Sequence, residues 1–259
     1  MVRPNWLFSK SSSIVFILTF TCLVFLGGGV WTSSHRLASH AYRQEIVPRV
    51  INKTNALQVL NVKRVGEGVS ADVDVTLLNQ SSKNVTAYMI SMGEFSVTTC
   101  CSALPPGETR IEHIPFGNIE ASAAKNPHRA GELVLSAVYL EGGDSEGEDP
   151  YLNNLKSRIL GIKEQIRLVL PILHNALKSS QSNSENVLRR LESQASLLPT
   201  KDDHVALLPQ RQGGRAWVKG KLQREIQYLK SRSNTVDGFD LRGQLIELIA
   251  SYNQLLSRL

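Results

Sequence analysis

Cysteine is scarce in this sequence: three in 259 residues are too few for the disulfide framework of a small secreted domain. Cys22 lies in an apolar run, and Cys100 and Cys101 are adjacent. Because a disulfide between neighbouring residues is strained, we expect two ordinary buried thiols, with a vicinal redox pair as the alternative. The cysteines therefore do not fix the cellular compartment.

Catalytic and metal-binding motifs are also absent from the sequence. It contains no G-x-S-x-G, H-E-x-x-H, P-loop or G-x-G-x-x-G pattern. Its six histidines are scattered along the chain, and no histidine or cysteine has the spacing of metal ligands. We therefore predict no enzyme activity, no catalytic residue, no cofactor and no bound metal.

Charge is missing from residues 11–34, and their centre from Ile14 to Trp31 is almost wholly apolar. As a helix, a segment of this length spans about 27–36 Å, close to the ~30 Å hydrocarbon core of a bilayer. The sequence thus predicts a membrane anchor. The predicted order is a cytoplasmic segment over 1–13, a transmembrane helix over 14–34 and a juxtamembrane linker over 35–55.

The side of the membrane on which the folded part lies is harder to predict, because basic residues flank the apolar run at both ends. A strand-rich segment follows the anchor, and N-x-[ST] sequons occur at Asn52, Asn79 and Asn84. These features favour a cell-membrane protein with its domains on the extracytoplasmic side. Cleavage after Ala41 by a signal peptidase is the alternative, although Ala41 lies well beyond the apolar run.

Positive charge is concentrated in the C-terminal half. Residues 151–259 contain 17 Lys/Arg and 9 Asp/Glu, a net charge of +8, whereas residues 1–150 contain 12 and 14, a net charge of −2. A basic half can attract anionic lipid, acidic protein or nucleic acid, or it can be a solvated helical surface. Its basic clusters lack interleaved aromatic residues, so we do not expect a nucleic-acid partner.

Residues 56–141 show the pattern of a small antiparallel β-sandwich. Apolar and polar residues alternate from Val69 to Leu77, which places one face of a strand in a core. Turn-forming residues at 79–84 and 104–109 separate further segments that are rich in β-branched residues. Short strands at this spacing are typical of Ig-like sandwiches.

Three segments of this region carry a resemblance to a known group of proteins. They are VDVTLLNQSSKNVTAY, LPPGET and LVLSAVYLEGGDSEGED, within residues 57–150. This combination of strand and turn motifs resembles bacterial membrane-anchored envelope proteins, and it implies an Ig-like or fibronectin-like sandwich without an assigned activity. The doubled proline and the cysteine pair are not part of that pattern. The matching positions are Asn79, Ser81, Lys83, Val85, Thr86, Ala87, Leu104, Gly107, Glu108, Tyr139, Gly142 and Gly147.

Residues 142–149 are predicted to form an acidic hinge between two domains. Carboxylates alternate with glycines in this stretch, which is typical of a solvated linker. A Ca²⁺ loop over 141–149 is the alternative, since hard cations take clustered oxygen ligands. The stretch lacks the register of an EF-hand, so we do not expect Ca²⁺ there.

Residues 150–259 are predicted to form a basic helical domain, because apolar residues recur at spacings of three and four. These stripes need burial, either in an intramolecular bundle of helices or in a coiled coil with a protein partner or a second copy. Pro171 falls inside the first stripe and is expected to kink or end its helix near Leu170. The interaction seam is Leu155, Ile159, Ile162, Ile166, Val169, Leu173, Leu241, Leu245, Leu248, Tyr252, Leu255 and Leu259.

These patterns together predict an α+β, multi-domain chain with an N-terminal transmembrane helix, a small antiparallel β-sandwich and a C-terminal helical bundle or coiled-coil hairpin. We expect a single-pass membrane-anchored envelope protein with a structural or protein-interaction role. One alternative is a ligand-binding sensor or accessory subunit of an envelope complex. Another is a hydrolase that uses isolated carboxylates such as Asp72, Asp74 or Glu112. Alternation places Asp72 and Asp74 on the solvent face, which argues against the hydrolase.

Overall fold

A computed structural model describes residues 48–65, 72–92, 95–114, 132–181, 183–201 and 208–259. The described residues form strands and helices, which confirms the predicted α+β class. The predicted anchor over 14–34, the segment before it and the first part of the linker lie outside these residues. Within the part that the structure describes, no helix is both long enough and apolar enough to cross a membrane.

The strands of the described residues form two sheets, and all of their pairings but one are antiparallel. The exception is β1, which runs parallel to β7. The first sheet has the order β1 (Arg49–Asn52), β7 (Glu132–Leu140), β4 (Val85–Met92) and β5 (Phe95–Leu104), with β8 (Ser145–Gly147) also paired to β7. The second sheet has the order β2 (Leu57–Val65), β3 (Asp72–Asn79) and β6 (Thr109–Ile114).

The two sheets share one apolar core. The predicted alternation in β3 is confirmed, because Val73, Val75 and Leu77 are buried in that core while the intervening residues are partly exposed. Strand β4 differs, since all of its residues are buried. Tyr88 of β4 faces the second sheet, whereas Met89 belongs to the core of the helices. The first sheet is therefore covered on both faces.

In the part of the chain that the structure describes, four helices follow the sheets: α1 (Asp149–Ser179), α2 (Ser184–Ser196), α3 (Pro209–Thr235) and α4 (Leu241–Arg258). All twelve residues of the predicted seam are at most 8% exposed, and they lie in a core that also contains Ala87, Met89, Ala137 and Tyr139 of the first sheet. The seam is thus packed against the chain's own sheet and helices.

Of the two outcomes expected at Pro171, a kink or an end of the helix, the end is wrong. Helix α1 continues through Pro171 to Ser179. Proline in a helix interior costs about 3 kcal/mol, because it removes one backbone hydrogen bond and clashes with the preceding turn. Pro171 itself is exposed, whereas Val169, Leu173 and Ala176 are buried on the other side of the helix. Their packing offsets the cost of the proline.

Helices α1 and α3 cross at two glycines. A Cβ atom on Gly161 would lie 2.1 Å from the carbonyl oxygen of Arg211, and one on Gly214 would lie 2.2 Å from the carbonyl oxygen of Arg158. Only residues without a side chain allow the backbones to approach this closely. The same helices are joined by Glu164, whose carboxylate accepts hydrogen bonds from the guanidinium groups of Arg211 and Arg215.

Burial alone would raise the pKa of Glu164, but the hydrogen bonds and charges of Arg211 and Arg215 outweigh it and hold this pKa below its ordinary value. This carboxylate therefore stabilises the fold above the pKa of an unfolded glutamate, and the contribution is lost as the pH falls through the lower folded pKa.

The acidic stretch 142–149 is organised differently from the predicted hinge. Residues 145–147 form β8, which pairs with β7. The Glu146 carboxylate accepts hydrogen bonds from the backbone N–H groups of Asn55, at 2.7 Å, and Ala56, at 3.0 Å. Glu148 forms a 3.1 Å ion pair with Lys53. The carboxylates that indicate a solvated linker thus bind other parts of the sandwich, and β8 leads directly into α1.

Candidate functional site

The motif segments behind the resemblance meet at one end of the sandwich, around Asn79. The buried side-chain amide of Asn79 donates hydrogen bonds to the carbonyl oxygens of Lys83 and Leu104, both at 2.8 Å. Its Oδ1 accepts from the backbone N–H of Ser81 at 2.9 Å. The backbone N–H of Gly107 donates to the carbonyl oxygen of Asn79 at 2.8 Å. Asn79 therefore joins the first two motif segments.

The third motif segment joins the same end through two polar contacts. Asp144 forms an ion pair with Lys83, and Glu141 accepts a 2.6 Å hydrogen bond from the side-chain amide of Asn84. Gly147 has a φ of +132°, and a Cβ atom there would lie 2.2 Å from the carbonyl oxygen of Ser136. The motif residues therefore connect the turns at this end of the sandwich. Asn79, the first residue of one sequon, is buried among these contacts.

Replacing Asn79 with alanine is expected to lower the free energy of unfolding by about 2–4 kcal/mol, because the buried carbonyl oxygen of Leu104 loses its donor and the backbone N–H of Ser81 loses its acceptor. Urea unfolding followed by circular dichroism measures this change. Gln80→Ala is the matched control and should cost less than about 0.5 kcal/mol, since among the described residues the Gln80 side-chain amide bonds to the exposed side chain of Gln58. Equal stability of Asn79→Ala and Gln80→Ala would contradict the role of Asn79.

The carboxylates considered for a hydrolase lie on opposite faces of the second sheet. Asp74 and Asp72 bind the two ring nitrogens of His113 on its exposed face, at 2.7 Å and 2.6 Å. Glu112 lies on the inner side, where it accepts hydrogen bonds from the Tyr88 hydroxyl and, at 3.1 Å, from the Thr99 hydroxyl. The structure therefore does not bring Glu112 together with the two aspartates.

The pKa of His113 is expected to lie above its ordinary value, because Asp74 and then Asp72 hydrogen-bond to its charged form. The contact therefore stabilises the fold below the pKa of an unfolded histidine and is lost as the pH rises through the raised pKa. Titration of the His113 ring protons by NMR measures this pKa. Asp74→Asn should lower it, and an unchanged titration in that variant would show that Asp74 does not hold the ring.

A cleft of about 430 Å³ lies between β5 and helices α3 and α4. Strand β5 supplies Cys100 and Cys101, α3 supplies an indole and charged side chains, and α4 supplies polar and basic side chains. The cleft exists because α3 and α4 pack beside the strand at the edge of the first sheet. Its lining residues are Cys100, Cys101, Ser102, Trp217, Lys221, Arg224, Glu225, Ser251, Gln254, Leu255 and Arg258.

The cleft carries net positive charge. Lys221 forms a 3.0 Å ion pair with Glu225, and its ammonium group lies 5.7 Å from the centre of the Tyr252 ring. Arg224 and Arg258 form no ion pair among the described residues. These two guanidinium groups therefore remain available for an anionic group that enters the cleft.

Cys100 and Cys101 form a disulfide bond with each other, which corrects the expectation of two ordinary buried thiols. Adjacent cysteines can join only when the chain between them adopts an unusual conformation. Cys101 has a φ of +78°, in the left-handed region that side chains rarely adopt. Both residues are half-buried and pack against the core of the helices. The adjacency is visible in the sequence, but the backbone conformation is not.

The sequence did not identify this cleft as a site. Arg224 and Arg258 are far apart along the chain and belong to different helices, so no motif spacing links them. The structure places Trp217 and Lys221 of α3 in the same cleft as Cys100 of β5. No protein-family model, curated protein or solved structure matches this chain.

Proposed function

We propose that this chain is a single-pass, membrane-anchored protein of the cell envelope with a structural or protein-interaction role. The proposal includes a transmembrane anchor over residues 14–34, an Ig-like sandwich on the extracytoplasmic side, and a helical layer that binds an acidic partner. It is supported by the uncharged stretch 11–34 and by the net charge of +8 on residues 151–259.

The observation that carries the binding role is the pair of guanidinium groups in the cleft. Arg224 and Arg258 have no ion-pair partner among the described residues, and Trp217 lines the same cleft. Guanidinium groups bind carboxylates through two parallel hydrogen bonds. Arginine and tryptophan are also enriched in the cores of protein interfaces. An acidic side chain of a partner protein fits this combination.

A ligand-binding sensor or accessory subunit is the second candidate. The cleft volume of about 430 Å³ lies within the range of small-molecule sites, about 300–1,000 Å³. Such sites combine apolar and aromatic side chains with a few polar groups, and Trp217 and Leu255 supply the apolar part of this lining. A small anion that binds in the cleft with high affinity, without a protein partner, would favour this second function.

The membrane anchor is tested by fractionation of cells that express the full chain. We expect the full chain to stay in the membrane pellet after a carbonate wash, because the apolar segment 14–34 is inserted in the bilayer. A variant that lacks residues 1–34 is the control and should be soluble. Recovery of a soluble chain that begins at Tyr42 would show cleavage after Ala41 and would overturn the anchor.

The binding role is tested by charge reversal in the cleft. Native membranes are solubilised in mild detergent, and proteins that co-purify with Arg224→Glu/Arg258→Glu are compared with those of the wild type. The matched control is Arg232→Glu/Arg242→Glu. It changes the net charge by the same amount, on the same two helices, but at exposed positions outside the cleft lining. We expect a salt-sensitive partner that is lost only from the cleft variant. Identical partners in all three samples would contradict the proposal.

A further inference from the structure

We propose that the Cys100–Cys101 disulfide is a redox-active site that exchanges with small anionic thiols through the basic cleft. This inference goes beyond the proposed function and does not depend on the membrane anchor or on a protein partner. It uses the same cleft, but it assigns a chemical reaction to the two cysteines, whereas the proposed function assigns only a binding role to the arginines.

Adjacency makes this disulfide easier to reduce than a structural one. The two Cα atoms are 3.8 Å apart, whereas ordinary disulfides join Cα atoms about 4.4–6.8 Å apart, and disulfides outside this range are the more reducible ones. Reduction also removes the covalent constraint that accompanies the left-handed backbone of Cys101.

The surroundings of the pair favour a thiolate. Lys221 and Arg224 of α3 and Arg258 of α4 line the same cleft as the sulfur atoms. From β6, the Arg110 guanidinium donates hydrogen bonds to the carbonyl oxygen and, at 3.1 Å, to the hydroxyl of the adjoining Ser102. Reactive cysteines occur in partly exposed, electropositive environments of this kind, because cations stabilise the thiolate.

Among the described residues, two carboxylates on the neighbouring elements act against this effect, and each has a partner. Glu225 of α3 is ion-paired with Lys221, and Glu112 of β6 accepts hydrogen bonds from Tyr88 and Thr99. The charge that an incoming thiol meets is therefore positive. This sign selects thiols that carry carboxylates over thiols that carry amines.

The exchange is a two-electron reaction. The thiolate of a first small thiol attacks one sulfur of the pair, the Cys100–Cys101 bond breaks, and the electron pair moves to the other sulfur, which takes a proton. A second thiol then attacks the small thiol's sulfur in the mixed disulfide. The small disulfide leaves, and the protein retains two thiols. Two thiol molecules are oxidised to one disulfide while the pair is reduced.

The test measures reduction of the full chain, in detergent and with Cys22→Ser, by glutathione and by cysteamine. Each rate is divided by the rate of the same thiol with a small neutral disulfide. We expect a preference of about tenfold for the anionic glutathione. The preference should fall below about twofold in Arg224→Gln/Arg258→Gln and persist in Arg232→Gln/Arg242→Gln. Mass spectrometry after alkylation counts the thiols that appear.

Three outcomes would overturn the proposal, and two of them need only the wild-type chain. Two free thiols at Cys100 and Cys101 after treatment with oxidised glutathione would show that the pair does not form a disulfide under oxidising conditions. Equal normalised rates for glutathione and cysteamine would show that the cleft does not select the thiol. Trp217 fluorescence, taken as the difference from Trp217→Phe, should change in step with the thiol count. An unchanged fluorescence would show that reduction of the disulfide does not affect the cleft, which would also overturn the proposal.

Discussion

Replacing Gly214 with alanine is expected to lower the free energy of unfolding by about 3 kcal/mol, at the upper end of ordinary overpacking. The added Cβ would lie 2.2 Å from the carbonyl oxygen of Arg158. That neighbour is backbone, so it cannot turn aside as a side chain would. Helices α1 and α3 would have to separate, which would expose buried residues such as Ile162 and Val218.

The matched control for this change lies on the same helix. A Cβ atom on Gly220 would have the Arg224 guanidinium, at 3.6 Å, as its nearest neighbour. Gly220→Ala should therefore raise stability by up to about 1 kcal/mol, the difference in helix propensity between the two residues. Urea unfolding of both variants measures the contrast. A Gly214→Ala chain as stable as Gly220→Ala would mean that the helices do not cross at this point.

Replacing Leu245 with aspartate should cost about 4 kcal/mol or more and unfold the helical layer. Leu245 is fully buried in the core that joins the helices to the first sheet. The change removes about 1.5–3 kcal/mol of stabilisation by apolar burial and places a carboxylate in an apolar core. Thermal unfolding and near-ultraviolet circular dichroism measure the loss.

The neighbouring position provides the control for Leu245→Asp. Ile246 is 49% exposed, so Ile246→Asp should change stability by less than about 0.5 kcal/mol. The two variants also distinguish a seam that is buried within the chain from a seam that forms a coiled coil with another chain. If Leu245→Asp left the chain fully folded and only converted an oligomer into a monomer, the seam would bind another chain and the intramolecular packing would be wrong.

Sequence periodicity is sufficient to predict the features that depend on a single strand or helix. The alternation that buries Val73 and Val75 predicts a strand, and the three-and-four spacing through Leu155 and Leu245 predicts helices with a buried stripe. Both follow from the geometry of one element. Which surface buries the stripe is a different question, because that surface includes Met89 from a distant strand.

The misjudged elements depend on partners that are distant in sequence. The sequence around Glu146 is typical of a linker, but in the fold its carboxylate accepts hydrogen bonds from the backbone of Asn55 and Ala56. Pro171 is compatible with a kink or an end of its helix, and the end is excluded only once the buried residues on the other side of the helix are known. The cleft is the extreme case, since Arg224 and Arg258 line one surface only when α3 and α4 lie beside β5.

The sandwich and the helices form one unit through the core that they share, which gives the cleft fixed walls. Limited proteolysis of the full chain with a protease that cuts after glutamate tests this unity. Glu141, Glu146 and Glu148 each contact the sandwich, so we predict that the native chain resists cleavage at all three and that the denatured chain does not. Rapid native cleavage there, with release of separate sheet and helix fragments, would contradict the claim.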